Sequence, residues 1–134
     1  MPELLAHLWG DYVLQTERMA LRKAISWRWA TIHAACYTLP FLFITLDLGS
    51  LFVIFSTHVV IDRLALARRL VMCRNAWDLV GRGDNLNATT GFSEKIPAWL
   101  AFWLMVIVDN TIHLTINHWA IHYLPDYTRR IWGG

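Results

Sequence analysis

The sequence predicts an all-α protein: a polytopic membrane helix bundle with three spanning helices and a shorter, half-inserted helix at its N-terminus. Three observations carry that prediction. Hydrophobic residues fill 56% of the 134 positions and charged residues only 16%, a balance unlike that of an average soluble domain. Residues 98–123 form one apolar run, AWLAFWLMVIVDNTIHLTINHWAIHY, about 39 Å long as an α-helix and more than enough to cross a bilayer core. The chain also carries eight Trp. Trp27, Trp29, Trp99, Trp103 and Trp119 fall where helix ends are expected, as in the aromatic belts of membrane proteins.

At this length the chain reads as a single membrane domain, 1–134. Its net charge of +2 says less than the placement of its cations. Arg18, Arg22, Lys23 and Arg28, then Arg63, Arg68, Arg69, Arg74, Arg82 and Lys95, flank apolar stretches. The positive-inside rule accounts for that pattern better than a nucleic-acid patch does, so lipid bilayer and not nucleic acid is the expected partner. Cys36 and Cys73 form no CxxC pair. Glu3 stands where a secretory leader would carry its basic residues, and no signal peptide is expected.

Residues 2–15 predict a short helix, with Pro2 and Glu3 suited to its first turn. Its apolar run of about 12 residues is too short to cross a bilayer, hence a half-inserted helix. Residues 16–26 are amphipathic and basic, the pattern of a helix lying at the interface. The first full span is 27–46, kinked by Pro40. Asp47-Leu48-Gly49 reads as a tight turn, with Ser50 capping the next helix. That second membrane helix, 51–74, continues through the Arg-rich segment. Residues 75–96, rich in Gly, Asn and Thr, form the one long loop. The third span is 97–123, and 124–134 is a polar and aromatic tail.

Ionisable residues recur at membrane depth, where such groups must be paired, metal-bound or open to water. His7 and Asp11, His58 and Asp62, and Asp109 and His113 are each four residues apart, which puts each pair on one helical face. His33 adds a lone imidazole in the first span. One histidine in an apolar helix is ordinarily a packing residue, but three pairs on three helices point to a shared site. Imidazole and carboxylate together are the donor mixture of zinc, manganese and non-haem iron centres. The candidate ligands are His7, Asp11, His33, His58, Asp62, Asp109 and His113, for a divalent metal with zinc favoured and manganese or iron next. One of Asp11, Asp62 and Asp109, if not a ligand, is the candidate general base. Gln15, Tyr37 and Asn117 are candidates to orient ligands from behind. Arg63, Arg68 and Arg69 read first as headgroup contacts, and in the sharper reading as phosphate-binding groups. His118 and His122 lie about 140° and 180° around the helix from His113 and are read as interfacial.

With these residues in view, HLWGDYVLQT, the His58-to-Asp62 segment HVVID and WLAFWLMVIVDNTIH resemble a family of small bacterial and phage membrane proteins of unassigned function. The resemblance covers nearly the whole chain. More distantly, the HxxxD pairs are similar to those of membrane-bound metal-dependent hydrolases related to zinc-dependent phospholipase C. That likeness implies ligation by His7, Asp11, His58 and Asp62, with Asp109 and His113 as the remaining pair, in an integral protein of the bacterial inner membrane, encoded by a bacterium or a phage. The function expected from all this is a membrane-embedded metal-dependent hydrolase acting on a phospholipid or another amphiphilic phosphoester. The alternatives are a non-enzymatic phage or prophage membrane protein, holin-like or an exclusion factor, and an ion or proton pathway through the same His–Asp pairs.

Overall fold

The computed structural model of the chain describes residues 1–79 and 85–125, and its regular elements there are helical. Among the described residues β pairing is confined to an isolated bridge between Leu86 and Ser93. Among the described residues the α-helices are α1 (Pro2–Leu8), α2 (Glu17–Arg22), α3 (Trp27–Thr38), α4 (Leu48–Leu64), α5 (Leu66–Leu79) and α6 (Ala98–His122).

The expected helix over 2–15 forms in two parts. Pro2 stands in the first turn of α1, and the chain then widens into a π-helical turn, Trp9–Val13. Gly10 in that turn lies against α3: a Cβ there would meet Tyr37 Cδ2 at 2.7 Å and the Tyr37 carbonyl at 2.8 Å. Only a residue without a side chain lets the two backbones approach so closely.

Helix α2 is shorter than the expected 16–26. Thr16 caps it by accepting from the Met19 amide at 3.3 Å. The segment 27–46 is α-helical only to Thr38, then continues as a 3-10 turn, Leu39–Phe43. Pro40 cannot donate to the preceding turn, and its ring crowds that turn's carbonyl, so the helix changes character there.

The start of the next helix differs from the sequence reading. Asp47, not Ser50, is the cap: its Oδ2 accepts from the Ser50 amide at 2.7 Å and the Ser50 hydroxyl at 2.8 Å, and Gly49 lies inside the first turn. The unbroken helix expected over 51–74 is also corrected. The chain breaks at Ala65, whose φ of 47° is left-handed and cannot continue a right-handed helix.

The chain groups into two compact units, Met1–Leu64 together with the part from His113 onward, and Ala65–Ile112. In the first, Tyr37, Phe41, Ile54 and Ala120 are fully buried together, and Ala30 and Ala34 of α3 meet Val59 of α4. Small residues on α3 allow close helix approach. In the second, Val71, Phe92 and Ala101 form the core. There α5 runs five residues beyond its expected end, to Leu79, and the loop from Asn85 is tied to it by the Asn75 side chain, which donates to the Gly91 carbonyl at 2.9 Å. The rest of the expected loop, 80–84, and the expected tail beyond Pro125 lie outside the described residues.

Helix α6, with 25 residues, is long and apolar enough to cross a membrane, and α4 with α5 would count as a second such span if the broken pair is one. Only 11% of the apolar stretch of α6 is buried within the chain. A core helix of a water-soluble domain hides most of such a surface; this one presents it outward.

Candidate metal centre

Four buried side chains from three elements converge within the first unit. The π-helical turn supplies Asp11, α3 supplies His33, and α4 supplies His58 and Asp62 one turn apart. Their donor atoms all lie within 4.8 Å of one another. His33 Nε2 is 3.0 Å from Asp11 Oδ1 and 3.3 Å from Asp62 Oδ2; His58 Nε2 is 3.2 Å from Asp62 Oδ2 and 3.7 Å from Asp11 Oδ1. Ligands on one tetrahedral zinc stand about 3.4 Å apart, from bond lengths near 2.1 Å. The cluster is thus geometrically able to hold a metal ion.

The hydrogen bonding is incomplete in the same place. His58 Nε2 and Asp62 Oδ2 are within ion-pair distance, yet among the described residues neither makes a well-formed hydrogen bond. His33 and His58 are fully buried, and Asp11 and Asp62 are 5% and 6% exposed. Buried polar atoms left in this state are uncommon and call for an explanation such as an ion.

Lys23 enters the cluster as well. From the end of α2 its ammonium reaches to 3.0 Å from Asp62 Oδ2 and 3.6 Å from Asp11 Oδ1. In the sequence it is one cation in a basic run, and nothing in its spacing distinguishes it. Burial makes charging Asp11 harder, but the His33 hydrogen bond and the nearby Lys23 charge outweigh it and hold the carboxyl below the usual range.

Around these groups stands a second set from α1, α3 and α6. His7 Nε2 is 3.8 Å from Asp11 Oδ2, and His113 Nε2 is 3.6 Å from Asp62 Oδ1. The Tyr37 hydroxyl is hydrogen-bonded to His7 Nδ1 at 2.8 Å and accepts from Asn117 Nδ2 at 2.6 Å. The structure therefore brings His7, Asp11, His33, His58, Asp62 and His113 together.

Asp109 is half-buried and is counted with the second unit, as are Arg68 and Arg69. Arg68 donates to the Ala88 carbonyl at 3.2 Å, and Arg69 is exposed. Arg63 donates to the Ala24 carbonyl at 2.9 Å and lies over the Trp27 ring. Gln15 is half-buried, and its Oε1 finds no hydrogen-bond partner among the described residues. His118 and His122 sit near the end of α6 beside Glu3, whose carboxyl the His122 hydrogen bond draws down to about 2. In the sequence Glu3 is legible only as a helix-start residue.

A model of the family described as "Protein of unknown function (DUF3307)" matches residues 1–80. The matched segment contains Asp11, Lys23, His33, His58 and Asp62, all four converging donors and the lysine. No curated protein and no solved structure matches the chain, so the comparisons show no likeness to phospholipase C-like hydrolases.

Proposed function

We propose that this chain, which belongs to the DUF3307 family of proteins of unknown function, is an integral membrane protein that holds a divalent metal at Asp11, His33, His58 and Asp62 and hydrolyses an amphiphilic phosphoester such as a phospholipid. One observation carries the reading: four buried donors, two imidazole and two carboxylate, within 4.8 Å of one another. That donor set contains no thiolate and favours zinc, with manganese or iron next. A metal there would supply an acidified water and polarise a phosphoryl oxygen. Asp11 and Asp62 then act as ligands rather than bases. His7 and His113, at 3.8 and 3.6 Å from the two carboxylates, are the groups left to accept a proton.

Membrane insertion by three passes, within 27–46, 51–74 and 97–123, is part of the proposal. The outward apolar surface of α6 supports it. So does the turn joining the first two, where Phe43, Leu46, Leu48 and Phe52 are 67–95% exposed, a surface suited to acyl chains rather than water. An apolar groove of about 510 Å³ between α1 and the 3-10 turn, lined by Leu5, Trp9, Leu39 and Phe43 among others, suits the tail of an amphiphile.

A second reading rests on the burial itself. Buried histidines and aspartates in contact across helices are also the form of a proton relay. Purified protein in phospholipid vesicles separates the two. Metal-dependent release of a phosphorylated headgroup, lost in Asp62→Asn, supports hydrolysis; proton or cation flux without lipid turnover rejects it for the pathway.

A further inference from the structure

We infer a second, surface metal site at Glu3, His118 and His122, taking a borderline divalent cation such as zinc and sharing no residue with the buried centre. His118 and His122 are one turn apart on the last turns of α6, with ring centroids 4.5 Å apart. Glu3, from the first turn of α1, brings Oε1 to 2.5 Å from His122 Nε2 and 3.7 Å from His118 Nδ1. One donor atom from each of the three lies within 4.8 Å of the other two. Two imidazoles and a carboxylate are the protein ligands of open zinc sites, whose fourth position water or a substrate fills. Both histidine side chains are about half exposed, at 58% and 49%, so an ion reaches them without opening the fold. A hydrogen bond between Glu3 and His122 explains one of the two contacts; it gives no reason for His118 to turn a ring nitrogen toward the same oxygen. Two ligands on one zinc stand about 3.4 Å apart, so metal binding lengthens the Glu3–His122 contact and replaces it with two coordinate bonds. Residues 119 positions apart in the chain are then clamped together, tying α1 to the end of α6.

The test uses the full chain in detergent micelles, stripped of metal and titrated with zinc by calorimetry. In an Asp62→Asn background, which disables the buried centre, one zinc per chain is expected. His118→Ala/His122→Ala should weaken that binding by about tenfold or more, and Glu3→Gln should weaken it in the same direction. Should Asp62→Asn fail to fold, the comparison is made with and without the two histidines in the otherwise unchanged chain, where the double variant should lose one zinc equivalent. Copper(II) bound at the site should show two nitrogen ligands by electron paramagnetic resonance. Equal zinc stoichiometry and affinity with and without His118 and His122 overturns the inference.

Discussion

Tyr37 lies flat against His58, with ring centroids 3.7 Å apart and planes 18° from parallel, and its hydroxyl joins His7 to Asn117. One side chain thus fixes the ring plane of a candidate ligand and the orientation of a flanking imidazole. Tyr37→Phe keeps the stack and removes both hydrogen bonds. Stability should fall by about 1–3 kcal/mol, the usual effect of removing a buried hydrogen-bond partner. Metal affinity should drop about tenfold, as when groups behind a ligand are lost. Thermal unfolding and a zinc titration measure the two; no change in either would show the hydroxyl to be idle.

Lys23 and a metal ion compete for the same carboxylates. With its ammonium 3.0 Å from Asp62 Oδ2, Lys23 is the cation that compensates Asp11 and Asp62 when no metal is bound. Lys23→Met should therefore act in opposite directions on two readouts. The metal-free protein should lose about 3 kcal/mol of stability, because the carboxylates lose their counter-charge. Zinc should bind roughly tenfold tighter, a difference of about 1.4 kcal/mol, because no ammonium has to be displaced. Weaker zinc binding in Lys23→Met would mean that the lysine assists the metal.

Gly10 sets the depth of Asp11. A methyl group there would be 2.7 Å from the Tyr37 ring and 2.8 Å from its carbonyl oxygen, and the backbone side of that contact cannot swing away. Gly10→Ala should lower stability by about 1–3 kcal/mol and weaken metal binding by pushing the π-helical turn off α3. A stable Gly10→Ala protein with full metal affinity would show that the turn is free to move.

The parts of this fold that sequence periodicity reveals are those where one helix states its own pattern. His58 and Asp62 are four apart in an apolar run, and burying both ionisable groups is costly enough to make the pair conspicuous. The Asp109–His113 pair has the same spacing, but it falls where α6 leaves one compact unit of the chain and enters the other. Lys23 is hidden among Arg18, Arg22 and Arg28. The break at Ala65 carries no glycine or proline to announce it, and Asp47 reads as turn rather than cap because Gly49 stands two residues on. Glu3 and His122 lie at opposite ends of the chain, and only the fold joins them.

Acid should reveal the Glu3–His122 contact. The carboxyl of Glu3 falls from 4.5 to about 2 through its hydrogen bond with His122. A folded-state value below the unfolded one means a stabilising contribution that is complete above pH 4.5 and lost as pH drops through the interval toward 2. Glu3→Gln has no such group to titrate. Melting temperatures of the two proteins should differ above pH 4.5 and converge toward pH 2; a constant difference across that range would mean that Glu3 is not the group responsible.

A metal ion held among Asp11, His33, His58 and Asp62 is tested most directly by the metal content of the His118→Ala/His122→Ala protein. The double substitution removes the surface site, so that only the buried centre is counted, and purification without chelator or affinity metal neither strips nor supplies an ion. The expected result is close to one zinc, manganese or iron per chain, lost in the further variant Asp62→Asn. Less than about a tenth of an equivalent, with no rise in melting temperature on adding any of the three metals, would contradict it.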